Sequence, residues 1–193
     1  FKYLNFLLRE SIMKLSHPFL LIILASFSFV FSEILRVPAD YPTIQEGINS
    51  ASTNDTVLVA PGYYPESIHI NVNDGIAVIS ESGNQVTSLD NISASLGSFN
   101  PQYNIHIKGF SVESYTSASF QRCIIEDMIF IPSSESGNGS GISLVYCITK
   151  NSYFESAQFY FYNSLFYRTH FQAVHYGHFE MDGFAEFVNC NLI

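Results

Sequence analysis

Arg36 to Asp90 reads RVPADYPTIQEGINSASTNDTVLVAPGYYPESIHINVNDGIAVISESGNQVTSLD. The order of elements in this stretch decides the fold. Thr43 to Ala51 is predicted helical. Thr43 and Glu46 form a T-x-x-E capping box, in which each side chain can meet the other's backbone N–H. Ile44, Ile48 and Ala51 fall at i, i+4 and i+7 and make one apolar stripe. Asp55 to Ala60 (DTVLVA) then reads as a strand, and Pro61-Gly62 turns the chain. Ser67 to Val72 (SIHINV), Ile76 to Ser80 (IAVIS) and Val86 to Leu89 read as further short strands, with Gly83-Asn84 as a second turn. A short helix with a single apolar face must cover something, and unpaired strand edges at the start of a stack need such a cover.

The second half carries a weak internal repeat. Cys123-Ile-Ile-Glu-Asp-Met-Ile-Phe130, Cys147-Ile-Thr-Lys-Asn-Ser-Tyr-Phe154 and Ser164-Leu-Phe-Tyr-Arg-Thr-His-Phe171 share a frame, and Cys190-Asn-Leu-Ile193 is expected to begin another copy. Each copy has a small residue, an apolar neighbour and a Phe seven places on. The irregular offsets suit a solenoid whose corner loops vary in length, with like residues stacked from coil to coil. Cys123, Cys147 and Cys190 are then expected at equivalent inward positions.

The motifs DYPTIQEGINSA, DTVLVAPGYYPESI and IAVISESGNQVTSLD together resemble the opening of proteins of the pectin-lyase-like superfamily. The resemblance covers Arg36 to Asp90, and beyond it only the loose coil pattern speaks for it. It implies an all-β fold: a right-handed parallel β-helix with a short N-terminal capping helix. Members include pectinesterases, pectate lyases, polygalacturonases and many surface proteins with no known activity. The opening motif marks the cap of the fold and does not carry catalysis. The Q-D and D-F-I-F-G patterns of the esterases do not occur here, and neither does the Asp series of the polygalacturonases.

The N-terminus suggests export. Met13 is better placed as a start than Phe1. Lys14 supplies a positive n-region, Phe19 to Val30 an apolar h-region, and Val30 and Ser32 the small residues of a cleavage site. The expected organisation is an upstream non-native segment at 1–12, a signal peptide at 13–32 and a β-helix domain at 33–193. The apolar run is short of the roughly 20 residues of a membrane span, so no span is expected in the mature chain, which is placed outside the cell, secreted or at its surface. The domain is expected to continue past Ile193 and to self-associate through its open C-terminal end.

Residues 1–32 hold Lys2, Arg9, Lys14 and Glu10. Without them the eight basic and 17 acidic residues fall to five and 16, a net of −11. An acidic chain of this kind does not suit nucleic acid, and it repels a polyanionic polysaccharide unless a cation bridges the two.

Few residues suggest chemistry. Glu126-Asp127, with Arg122 nearby, is the one adjacent acidic pair, but calcium needs six to eight convergent oxygens, and a solvated corner accounts for it better. His170, His175 and His178 precede Glu180 and Asp182. Alternation can align 178, 180 and 182 on one face, although their spacing matches no standard metal motif. The three cysteines read as small buried residues of a ladder, with one disulfide as the alternative. Tyr63, Tyr64, Tyr160, Tyr162, Tyr167 and Tyr176 could line a sugar-binding surface or fill the core. Asn54, Asn91 and Asn138 begin N-x-S/T sequons, whereas Asn151, in Asn-Ser-Tyr, does not. The sequence therefore assigns no catalytic, cofactor or metal residue. It favours an exported module that binds a polysaccharide or a cell-surface protein, with the front of a polysaccharide lyase or esterase as the alternative.

Overall fold

The computed structural model describes residues 32–70, 75–94, 105–115, 117–132, 141–188 and 191–192, and the side chains of residues 114, 115, 157, 173–188 and 191–192 lie outside that description. The expected export signal therefore lies outside the described residues apart from Ser32. Among the described residues no helix is long and apolar enough to cross a membrane.

The fold is a parallel β-solenoid. The strands are β1 (Ile34–Val37), β2 (Thr56–Val59), β3 (Gly62–Ile70), β4 (Ala77–Ser80) and β5 (Thr87–Ala94). There follow β6 (Ile105–Lys108), β7 (Ser111–Tyr115), β8 (Ser117–Gln121), β9 (Cys123–Glu126) and β10 (Ile129–Pro132). The last are β11 (Gly141–Val145), β12 (Ile148–Lys150), β13 (Tyr153–Tyr167), β14 (His170–Val188) and β15 (Asn191–Leu192). Among the described residues there is one helix, α1 (Ile44–Ser50), which sits between β1 and β2. That an ordered strand precedes the helix was not apparent from the sequence, because Ile-Leu-Arg-Val is too short to show a period.

From β2 to β14 each coil contributes to three faces, whereas the first coil supplies only β1 before the helix. Face A stacks β1, β2, β4, β6, β9 and β12, then the ends of β13 and β14. Face B stacks the start of β3 and of β5, then β7, β10 and the starts of β13 and β14. Face C stacks the ends of β3 and β5, then β8, β11 and the middles of β13 and β14. All these pairings are parallel, so residues in register form columns about 4.8 Å apart. On face A the inward column is Leu35, Val57, Val78, Ile107, Ile125, Thr149 and Phe166, all buried. On face B it is Leu89, Val112, Phe130, Phe154 and Phe171.

The corners explain how short coils close. Asn54, Arg122, Tyr146 and Asn163 all have positive φ (67°, 54°, 54° and 46°) just before face A begins. Gly109, Asp127, Asn151 and Arg168 (79°, 52°, 50° and 48°) do the same just before face B. A single left-handed residue bends a strand sharply without a loop. The bend takes the next N–H out of the strand ladder, and the coil above meets it with a side chain. Phe110 N–H donates to Met128 Sδ (3.2 Å), Met128 N–H to Ser152 Oγ (3.2 Å) and Cys147 N–H to Ser164 Oγ (3.1 Å).

The helix caps the stack as expected, with one difference. Thr43 Oγ1 accepts from Glu46 N–H (3.1 Å). Two further first-turn amides, Ile44 and Gln45, donate to the Glu66 carboxylate of β3 at 3.1 and 3.2 Å. Ile44, Gly47 and Ile48 are buried. At Gly47 an added Cβ would lie 3.1 Å from a methyl of Val57 and 3.2 Å from one of Val37. A larger residue here would require those methyls to give by a few tenths of an ångström, so glycine eases the close approach of the helix to the first coils.

The repeat frame holds for Cys123, Cys147 and Ser164, because Ile124, Ile148 and Leu165 are in register. The fourth copy is corrected. Ala185, not Cys190, is in register with Ser164, an offset of 21 residues. Cys190 itself lies outside the described residues.

Candidate ligand-binding surface

The outward side of face C holds a groove of about 420 Å³. Three columns build it. Ser117, Gly141 and Gln158 are in register, as are Ala118, Ile142 and Phe159, and Ser119, Ser143 and Tyr160. Alternation along each strand sends Ala118, Ile142 and Phe159 inward, where they are buried. The serines, Gln158 and Tyr160 face out. The depression follows from residue size: Gly141 has no side chain, and a Cβ built there meets nothing within 4 Å. On one side the longer Gln158 and Tyr160 of the next coil form a wall.

The groove can donate and accept hydrogen bonds through hydroxyls and an amide, and it offers one aromatic ring. Among the described residues of its lining, Tyr160 is the only ionisable side chain. Such a lining suits a neutral, hydroxyl-rich ligand laid along an apolar floor.

The residues singled out by sequence are scattered over the other surfaces. Glu126 and Asp127 end face A, where Lys108 Nζ lies 3.4 Å from Glu126 Oε1 and 3.4 Å from Asp127 Oδ2, and His106 Nε2 lies 3.3 Å from Glu126 Oε2. Burial alone would lower the Lys108 pKa, but Glu126 and Asp127 outweigh it and leave the pKa raised. This is an ion-pair corner rather than a metal cradle, and among the described residues no group of three His, Cys, Asp or Glu side chains could hold a metal. His170 stacks on Tyr153 with ring centroids 5.0 Å apart and a 9° tilt. Residues 178, 180 and 182 are in register with Gln158, Tyr160 and Tyr162. The side chains of His175, His178, Glu180, Asp182 and Tyr176 lie outside the described residues.

Cys123 and Cys147 are stacked, buried and unbridged. Burial, then the neighbouring Cys147, pushes the Cys123 thiol well above its ordinary range, the opposite of what a nucleophile needs. Of the tyrosines, Tyr63 is 61% exposed on face B and donates to Asp90 Oδ1 at 2.6 Å. Tyr64 is half-buried and donates to the Ala60 carbonyl. Tyr162 stands edge-on to Tyr146 at 5.3 Å, and Tyr167 carries the Arg168 guanidinium 5.2 Å from its ring centre. Among the described tyrosines, only Tyr160 joins the groove. Asn54 and Asn151 occupy left-handed corners, Asn91 Nδ2 donates to the Ser117 carbonyl at 3.4 Å, and Asn138 lies outside the described residues. The serines and Gly141 were missed by sequence reasoning. Their signal is small residues recurring at matched positions of adjacent coils, visible only once the register is known.

No protein-family model, no curated protein and no solved structure matches the chain.

Proposed function

We propose that residues 33–193 are an exported surface module that binds glycans along its outer face, without catalysis by this part of the chain. The reading includes the finer fold assignment, a right-handed β-helix of the pectin-lyase-like kind, for which the capped first coil and the three-faced stack speak. The observation that carries the function is the face C groove, where Ser117, Ser119, Ser143, Gln158 and Tyr160 surround an open position at Gly141. Sugar rings offer apolar faces to an aromatic ring and hydroxyls to serine and amide groups. Among the described residues of the lining, Tyr160 apart, none is ionisable, which favours neutral chains over uronates.

Titration calorimetry of the purified protein against neutral glucans, mannans and galactans, beside polygalacturonate, tests this. Binding of one neutral class, weakened roughly tenfold or more by Tyr160→Ala and by filling the groove with Gly141→Leu, is expected. Cleavage or de-esterification of a pectin-type polysaccharide by the protein would overturn the reading. So would binding that is indifferent to both substitutions.

A further inference from the structure

The five basic residues of 33–193 are Arg36, Lys108, Arg122, Lys150 and Arg168. The fold gathers all of them on one side. Arg36, Lys108 and Lys150 point outward from face A, and Arg122 and Arg168 occupy the corners that open and close it. Register makes the pattern explicit. One outward column of face A runs Arg36, Leu58, Ile79, Lys108, Glu126, Lys150, Tyr167. The other runs Ile34, Thr56, Ala77, His106, Ile124, Ile148, Leu165. Ile34 is 47% exposed and Ile148 and Tyr167 are 37% exposed. Face A is thus both apolar and cationic on a chain that is otherwise strongly acidic.

Face B is its counterpart. Its outward side carries Asp90, Glu113 and Glu155, with Tyr63, Ile129, Ile131 and Tyr153 between them. Glu113 is in register with Ile131, and Glu155 follows Phe154, which is in register with Phe130. Glu113 and Glu155 therefore stand two coils apart. Lys108 and Lys150 also stand two coils apart, with Glu126 between them. Both separations come to about 10 Å at one strand spacing per coil. The two lysines and the two glutamates thus match in sign and in pitch, and each face offers aliphatic residues between them.

We infer that face A docks on face B of a second copy of this chain. A polyanion is a poorer fit, because Glu126 stands between the two lysines and repels a continuous run of negative charge, and the exposed isoleucines need an apolar partner. Two different patches meeting make a heterologous contact, which propagates into rings or open filaments rather than an isologous dimer. This association is separate from strand pairing at the β14 edge, which involves neither lysine nor either glutamate.

Charge reversal tests it by sedimentation velocity on the full chain. The wild-type protein is expected to form assemblies that dissolve in high salt. Lys108→Glu with Lys150→Glu, and separately Glu113→Lys with Glu155→Lys, are expected to weaken association by about 100-fold or more, since like charges then face each other. An equimolar mixture of the two variants restores assembly, because each now faces an opposite charge. Lys150→Glu and Glu155→Lys singly, with circular dichroism as the folding check, serve if a double variant unfolds. A wild-type monomer at about 100 μM would overturn the inference. So would assembly indifferent to both reversals, as edge pairing predicts, or folded variants that stay apart when mixed. Capture of the monomer by phosphatidylglycerol vesicles would assign face A to lipid instead.

Discussion

The early coils and the late coils fill the same cross-section differently. Up to Val112 the interior is mainly aliphatic, with Val57, Val78, Leu89, Ile92 and Ile107 buried. From Phe120 onward aromatic rings join Ile125, Ile142 and Leu144 in the interior, with Phe130, Phe154, Phe159, Phe161, Phe166 and Phe171 in mutual contact. The corners run the other way. Where face A begins, Ile76 and Ile105 give way to Cys123, Cys147 and Ser164. Where face B begins, Phe110 and Met128 give way to Ser152 and Thr169. Volume has moved from the corners to the middles of the faces while the interior stays filled. The late corners gain hydroxyls that accept turn amides, and the Phe stack occupies the space they release.

The largest expected effect tests that exchange. Phe154 lies between Phe130 (4.9 Å, 14°) and Phe171 (5.3 Å, 10°). Phe154→Ala is expected to cost about 3–5 kcal/mol, read by denaturant unfolding, because the flanking rings cannot collapse onto the gap. Val112→Ala, two coils earlier in the same column, removes far less volume and is expected to cost markedly less. Equal losses at the two positions would mean that the aromatic stack is no more important to the core than the aliphatic coils.

A smaller effect is expected at the capped end. Glu66→Ala leaves the Ile44 and Gln45 amides without their carboxylate. The expected cost is about 1–2 kcal/mol, with faster hydrogen exchange concentrated in α1. Loss of protection spread evenly through the late coils would show that the cap and the stack unfold as one unit.

The two halves also differed in how far the sequence disclosed them. The helix was legible because Thr43, Glu46, Ile44 and Ile48 lie within one turn or two of each other, and local spacing is what sequence displays. The Glu66 contribution was not, since it arrives from 21 and 22 residues away. In the late coils the Cys123, Cys147 and Ser164 frame was legible because its copies share a Phe. It misled at Cys190, where Ala185 holds the position. This register position holds Cys, Ser and Ala in successive coils, so residue identity is a weak guide to register. The groove was hidden for a related reason. Serines and a glycine have no distinctive spacing along the chain, and they become a site only when coils that are 17 and 24 residues apart lie side by side.

The smallest expected effect concerns the corners that let late coils dispense with glycine. Gly109 and Asn151 hold the same left-handed place, two coils apart, with φ of 79° and 50°. At Gly109 a Cβ would lie 3.3 Å from both the Gly83 Cα and the Ser80 Cβ, so two constraints favour glycine there. At Asn151 the side chain has room and reaches Asp127 Oδ1 at 3.3 Å. Gly109→Asn is therefore expected to destabilise by about 1 kcal/mol or somewhat more, through crowding added to the left-handed cost. Asn151→Gly removes that cost but also removes a weak hydrogen bond and loosens the unfolded chain. These terms oppose each other, and the net change is expected to stay within about 0.5 kcal/mol. Thermal unfolding of the two variants side by side separates the cases. If Gly109→Asn proved as neutral as Asn151→Gly, crowding at Gly83 and Ser80 would not be what keeps glycine in the early corner, and the left-handed turn alone would account for both.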